Sequence, residues 1–212
     1  MNLIIKIKKH GIKKSLNILK RKLKRIYRMR HGYYISNKAI LEERTLIKID
    51  SYAEINEFVI IRTFDNPVVI GKYTQINPFS VIYGGSGVYI GDNVMIAPHC
   101  MIASGNHNYK QLDKPIRFAE DVTKGPIIIE DGVWIGANST IVDGVRIGHN
   151  AVVAANSVVT RDVKPFEIVF GAPAKVFGNR IEFVFKKEGI SFENINSISE
   201  ELLLKYKKNS YE

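Results

Sequence analysis

Five histidines are spread through the 212 residues: His10, His31, His99, His107 and His149. Histidine takes up and releases a proton near neutral pH without help from its surroundings, so each is a candidate for acid–base work. His107 is the best placed. It stands in Ser104-Gly-Asn-His-Asn-Tyr, at the mouth of a long segment that interrupts an otherwise regular pattern. His99 and His149 fall where that pattern turns, and His10 and His31 belong to a basic N-terminal stretch. His99, His107 and His149 are separated by eight and forty-two residues. That is not the spacing of a three-histidine metal set, and no metal is expected. The single cysteine, Cys100, rules out an internal disulfide and falls on an inward position, where it reads as a small buried hydrophobe rather than a nucleophile.

The pattern that must hold His107 is a period of six. An isoleucine or valine recurs at Ile70, Ile76 and Ile82, at Ile90, Ile96 and Ile102, and at Ile129, Ile135, Ile141, Ile147, Val153 and Val159, with a fainter run at Ile49, Ile55 and Ile61. Four residues after each comes a second small or branched residue, such as Thr74, Ser80, Val94, Cys100, Val133, Ser139 or Val163. Six suits neither a helix nor a hairpin strand. It suits a coil with flat sides, each a short strand and a turn, in which the aliphatic points inward and its copies stack. Three sides make a coil of about eighteen residues, hence about five coils. At a strand spacing of roughly 4.8 Å the prism stands about 24 Å tall. Polar pairs such as Asp92-Asn93 and Asp131-Gly132 take the corners, where Asn, Asp and Gly tolerate turn dihedrals.

Breaks in the period are as informative as the period. Ile61 to Ile70 and Ile82 to Ile90 are spaced nine and eight apart, so Arg62-Thr-Phe-Asp-Asn-Pro and Tyr83-Gly-Gly-Ser-Gly carry bulged corners. Between Ile102 and Ile129 twenty-seven residues replace six. About twenty-one therefore leave the coil as a protruding loop over 107–126, and long loops on rigid scaffolds commonly carry function. Residues 33–48 read as a connection into the prism. After Val163 the chain reads as a loop leaving it.

Charge is concentrated at one end. Residues 1–32 hold twelve Lys or Arg and no Asp or Glu, so the rest carries nineteen basic against twenty-one acidic residues. The net charge of +10 thus belongs to an arm. A helix over Ser15 to Met29 would align Ile12, Leu16, Leu19, Leu23 and Ile26 in one stripe. That stripe serves either to cover the open end of the prism or to lie on an anionic membrane surface. The arm has too few aromatics and no motif for nucleic-acid binding. No apolar run reaches the roughly 18 residues of a membrane span, no signal-peptide core is visible, and a cytoplasmic location is expected, with peripheral contact at the inner face of the membrane if the arm binds lipid. The division expected is a basic amphipathic arm over 1–32, a β-helix domain over 33–180, and a helical C-terminal extension over 181–212.

Ile90-Gly-Asp-Asn-Val-Met-Ile-Ala-Pro, Val133-Trp-Ile-Gly-Ala-Asn and Gly171-Ala-Pro-Ala-Lys-Val resemble the hexapeptide-repeat acyltransferases. The resemblance runs from residue 49 to about 180. Together these motifs look like the branch holding galactoside, maltose and streptogramin acetyltransferases and the O-acetyltransferases of bacterial surface polysaccharides. The resemblance implies an all-β fold, a left-handed parallel β-helix. Left-handedness comes from the resemblance alone, since strand physics favours right-handed crossovers. It further implies a homotrimer, with acetyl-CoA as donor lying between subunits.

Acyl transfer from a thioester to a hydroxyl needs a base for the hydroxyl proton and a donor for the carbonyl oxyanion. The resemblance makes His107 the general base. Asn77, in Gln75-Ile-Asn-Pro, matches an active-site asparagine that would donate to the acceptor or the oxyanion; its other reading is a corner residue capping a turn. A carboxylate in the loop, Asp113, Glu120 or Asp121, would orient His107, and the sequence does not choose among them. The resemblance also puts Ala137 and Ala155 against the pantetheine arm, Thr160, Arg161 and Lys175 at the phosphates, and Trp134 at the acceptor or thiol end. The expected acceptor is a sugar hydroxyl of a surface polysaccharide or its precursor. The alternatives are N-acetylation of an amino-sugar nucleotide, acetylation of a streptogramin-type antibiotic, and a non-catalytic hexapeptide scaffold.

Overall fold

The structure, a computed structural model, describes residues 32–183. The helices expected within the arm and over Ser197 to Lys208 lie outside the described residues. Within them the six-residue period becomes a three-sided parallel β-helix, the architecture of the left-handed β-helix. Its inward side chains stack in three columns. On the first face Ile35, Ile55, Ile76, Ile96, Ile135, Val153 and Val169 are successive parallel partners. On the second the column is Leu41, Ile61, Ile82, Ile102, Ile141 and Val159. On the third it is Ile49, Ile70, Ile90, Ile129 and Ile147, ended by a single bridge from Ile147 to Val163. The columns are buried from Ile55 to Ile147, and each buried isoleucine contributes about 1.5–3 kcal/mol. The smaller inward residues fill the gaps between them. Thr74, Ser80 and Ser139 are also buried, and their hydroxyls donate to carbonyls of the next coil at 2.7, 2.9 and 3.1 Å, so no polar group is stranded there.

The corners depart from expectation in one respect. Asn93, Asn138, Asn150 and Asn156 do sit in the left-handed region, but so do Tyr52, Phe58, Tyr73 and Phe79. For an aromatic residue this backbone costs about 1–3 kcal/mol. The rings offset part of that by stacking from coil to coil: Tyr52 on Tyr73 at 4.8 Å, Phe58 on Phe79 at 5.0 Å, and Phe79 on His99 at 5.0 Å. At the neighbouring polar corner a carboxylate caps the coil beneath. Asp92 accepts from Lys72 N at 2.7 Å and Asp131 from Asp92 N at 2.8 Å. A Cβ on Gly71 or Gly91 would collide with these carboxylates, which is why glycine precedes each capped position.

Two segments read as connections prove to be part of the prism. Residues 34–49 form the first coil, with strands at Tyr34–Ile35, Ile40–Glu42 and Ile47–Ile49. A 3-10 turn at Arg44–Leu46 lengthens its last corner and breaks the phase. Beyond Val163, the chain does not run off as a loop. Glu167–Phe170 adds a parallel strand to the first face, and Lys175–Asn179 folds back antiparallel on it. The long insertion opens from the corner after Met101–Ala103 and rejoins the third face at Ile127–Ile129.

Candidate active site

The insertion carries His107, and its base is built to hold still. Ser104 ties to the coil beneath, with N and Oγ both donating to Tyr83 O at 3.0 and 3.2 Å. Gly105 lies directly on Gly85, where an added Cβ would come within 3.2 Å of the Gly105 Cα. Two glycines therefore let the chain leave the prism closely packed. Asn106–His107 then pairs antiparallel with Asp121–Val122, and His107 and Asp121 are direct cross-strand partners. His107 Nδ1 lies 3.0 Å from Asp121 Oδ1. Of the three loop carboxylates open at the sequence level, Asp121 is the one bonded to the ring.

In a single protomer this pair is open, with side chains 68% and 83% exposed. Farther out, Leu112 is 93% and Phe118 68% exposed. The loop stands off the body and presents apolar side chains to whatever lies beside it.

Asn77 sits elsewhere. It occupies the corner between the first and second faces of the third coil, whereas His107 leaves the corner after the second face of the fourth. Its Nδ2 donates to Ile96 O at 2.9 Å, and Asn56 makes the same bond to Ile76 O at 3.1 Å one coil below. The carboxamide is thus engaged in corner closure, and the structure does not bring it to His107 within one protomer. His99 is a corner residue at φ 61, stacked on Phe79, and His149 lies edge-on to Phe166. Cys100 is buried with Sγ 3.2 Å from Gly136 O, and burial pushes its thiol above the ordinary range, away from the thiolate a nucleophile needs. Among the described residues no three His, Cys, Asp or Glu side chains converge as metal ligands.

The residues matched to the donor lie on the later coils. Ala137 and Ala155 share one corner position on successive coils, with Asn156 N donating to Ala137 O at 2.9 Å. The same position holds Pro78 and Pro98 lower down, as the bonds His99 N to Pro78 O and Asn138 N to Pro98 O show. Proline has no N–H to offer a ligand, whereas both alanines do. Trp134 projects from the first face between Met95 and Val152 and is 48% exposed. Thr160 is exposed after the last strand of the second face. Arg161 and Lys175 come together on one cavity of about 220 Å³ at the C-terminal end of the prism. The cavity is also lined by Val159, Val163 and Val169 of the last inward layer, by Ala174 and Val176, and by Asp162, whose carboxylate accepts from Arg146 N at 2.8 Å. The antiparallel return that carries Lys175 to Arg161 was not visible in the period. Two cations on a shared rim suit a phosphate.

Comparison with known proteins bears on the family and the fold. Residues 67–104 match the family described as bacterial transferase hexapeptide (six repeats), and residues 126–161 the hexapeptide repeat of succinyl-transferase. The galactoside O-acetyltransferase of Escherichia coli (strain K12) is 30% identical, over 66% of this chain and 70% of that enzyme. A probable macrolide acetyltransferase of Lysinibacillus sphaericus is 35% identical, over 57% of this chain and 87% of that protein. Among solved structures, a point variant of AntD, an N-acyltransferase from Bacillus cereus in complex with dTDP and Coenzyme A, superposes with a TM-score of 0.62 at 25% identity, over 81% of this chain and 87% of that one.

Proposed function

The chain belongs to the hexapeptide-repeat acyltransferases and is an acetyltransferase, and from that premise we propose that it moves an acetyl group from acetyl-CoA to a sugar hydroxyl of a bacterial surface polysaccharide or its precursor. The observation that carries this reading is His107, presented by a locked hairpin at the mouth of the one long insertion, with one ring nitrogen turned to Asp121 and the other open. In the proposed reaction the free ring nitrogen takes the hydroxyl proton as the acceptor oxygen attacks the thioester carbonyl. An N–H donor steadies the oxyanion of the tetrahedral intermediate. The intermediate collapses with cleavage of the C–S bond, and the imidazolium returns its proton to the leaving CoA thiolate.

Acetyl-CoA would lie along the later coils. There Ala137 and Ala155 offer main-chain groups to the pantetheine arm, Trp134 borders the thiol end, and Thr160, Arg161 and Lys175 meet the phosphates. The CoA held by the AntD variant supports this donor. A homotrimer follows from the same reading. Asn77 and His107 stand at different corners, so a site using both needs an adjoining protomer, and the exposed Leu112 and Phe118 give the loop an apolar surface to lay on it. The basic arm over 1–32 supports action in the cytoplasm at the inner face of the membrane, on a lipid-linked acceptor.

A second reading is favoured by one comparison. AntD is an N-acyltransferase solved with dTDP, so an amino-sugar nucleotide is the alternative acceptor. Thiol release from acetyl-CoA, measured with free sugars, nucleotide-linked amino sugars and lipid-linked oligosaccharides, separates them. Treating the product with hydroxylamine, which cleaves an O-ester and spares an amide, identifies the atom modified. Release only with amino sugars, giving a hydroxylamine-stable product, rejects the O-acetyl reading. No release with any acceptor leaves the scaffold.

A further inference from the structure

The carboxamide of Asn77 has a donor end and an acceptor end, and only one of them is free. We propose that Asn77 meets the acceptor with its carbonyl oxygen, taking a hydrogen bond from a second O–H or N–H of the substrate, and that Gln75 and Glu54 are the positioning residues that hold it that way round. The inference rests on reading Asn77 as part of the acceptor site. It leaves the oxyanion to a different N–H.

The donor end is spent. Asn77 Nδ2 donates to Ile96 O at 2.9 Å and, over a longer 3.4 Å, to Gln75 Oε1. A main-chain carbonyl only accepts, so the nitrogen must face Ile96. Gln75 is oriented in turn. Its Nε2 donates to Glu54 Oε2 at 3.2 Å, which leaves Oε1 as the atom turned to Asn77. Reversing either carboxamide would set two acceptors against each other, so the network itself assigns both. Among the described residues no donor reaches Asn77 Oδ1. Corner closure alone does not call for the glutamine: Asn56 makes the same main-chain bond to Ile76 O with a glutamate two residues before it.

Placement is the second support. Glu54, Gln75, Met95 and Trp134 are successive parallel partners on the outward side of the first face, because Ile55, Ile76, Ile96 and Ile135 fill the inward side. Met95 and Trp134 are half exposed, yet Glu54 at the same outward position is only 8% exposed. A carboxyl group so covered depends on its hydrogen bonds, which makes it a fixed anchor for Gln75. The chain of bonds thus runs from a covered end at Glu54 to an open end at the half-buried Asn77. An oxygen offered there suits a sugar, which carries a further hydroxyl beside the reacting one. It repels the negative oxygen of a tetrahedral intermediate. A site built to bond a hydroxyl also discriminates against the analogue that lacks it.

The test uses the full-length protein in two arms. In the first, 15N–1H spectra of the side-chain carboxamides follow hydrogen exchange. Both Asn77 Nδ2 protons should exchange slowly, and in Gln75→Leu one of them should exchange like that of an exposed asparagine. Fast exchange of both protons in the parent overturns the proposal. In the second, thiol release from acetyl-CoA is measured with methyl glycosides and their monodeoxy derivatives. Loss of one hydroxyl other than the acetylated one should lower kcat/KM of the parent about tenfold, the worth of one hydrogen bond. Gln75→Leu, with circular dichroism matching the parent, should bring that ratio within about threefold, because Asn77 then offers an N–H as well. Glu54→Leu should do the same, and Glu54→Gln should restore discrimination, since its carboxamide oxygen can take the Gln75 Nε2 bond. Parent-like discrimination in Gln75→Leu overturns the proposal even if the exchange rates come out as expected. No release with any glycoside rejects instead the sugar acceptor and, with it, Asn77's partner, a failure that the exchange rates would not share.

Discussion

The carboxamide of Asn77 has a structural duty that can be measured apart from any catalytic one. Asn77→Ala removes its bond to Ile96 O and should lower stability by about 1 kcal/mol, as should Asn56→Ala one coil below. Only Asn77→Ala should also lower kcat, by about tenfold, if the residue serves the acceptor or the oxyanion. Equal stability losses with equal, undiminished kcat in both variants would reduce Asn77 to a corner residue. Cys100 gives a second test. Burial raises its thiol in the folded state, so its contribution to stability is complete below the ordinary thiol range and is lost as pH climbs through it, where the unfolded thiol ionises first. Urea midpoints should fall between neutral pH and about pH 10, and the native thiol should resist maleimide at neutral pH; rapid labelling would contradict its burial. At this scale the sequence was legible wherever a residue's duty repeats. Cys100 shares its place with Val94 and Val133, so its burial could be read. Asp113, Glu120 and Asp121 lie in one aperiodic stretch, and nothing in their order along the chain says which will face His107.

The coils tolerate little added volume between layers, and Gly136 shows this best. A Cβ there would meet the main-chain N of Ala155 at 2.5 Å, a backbone atom held by the stack on both sides. Gly136→Ala should cost about 1–3 kcal/mol by chemical denaturation, and because it separates the coils carrying Ala137 and Ala155 it should also raise KM for acetyl-CoA. A variant as stable as the parent would contradict the close packing. Element boundaries were legible only while the phase held. Ile35 and Leu41 are six apart, but the 3-10 turn at Arg44–Leu46 displaces the next inward residue to Ile49, and the first coil disappears from the pattern. At the other end the last coil reaches Val163 after four residues instead of six. The strand at Glu167–Phe170 and its antiparallel return then follow no period at all. Hairpin pairing between Asn106–His107 and Asp121–Val122 is hidden for the same reason: it depends on two distant pairs of residues meeting once.

Across the whole molecule, the donor site and the arm make separate predictions. Arg161→Ala and Lys175→Ala should each raise KM for acetyl-CoA about threefold to tenfold without changing kcat, a modest effect because both cations are solvent-screened. The effect should shrink as ionic strength rises; unchanged KM in the double variant would remove the phosphates from this cavity. If residues 1–32 hold the enzyme to an anionic surface, full-length protein should float with liposomes rich in anionic lipid and the truncated chain should not. Equal flotation would leave the arm its other role, covering the open end of the prism. The central claim concerns His107, and the most direct measurement is acetyl-CoA turnover by His107→Ala beside the parent protein, with matched circular dichroism and oligomeric state. The expected result is a loss of about a hundredfold or more in kcat with KM for acetyl-CoA preserved. Turnover at the parent rate would contradict it.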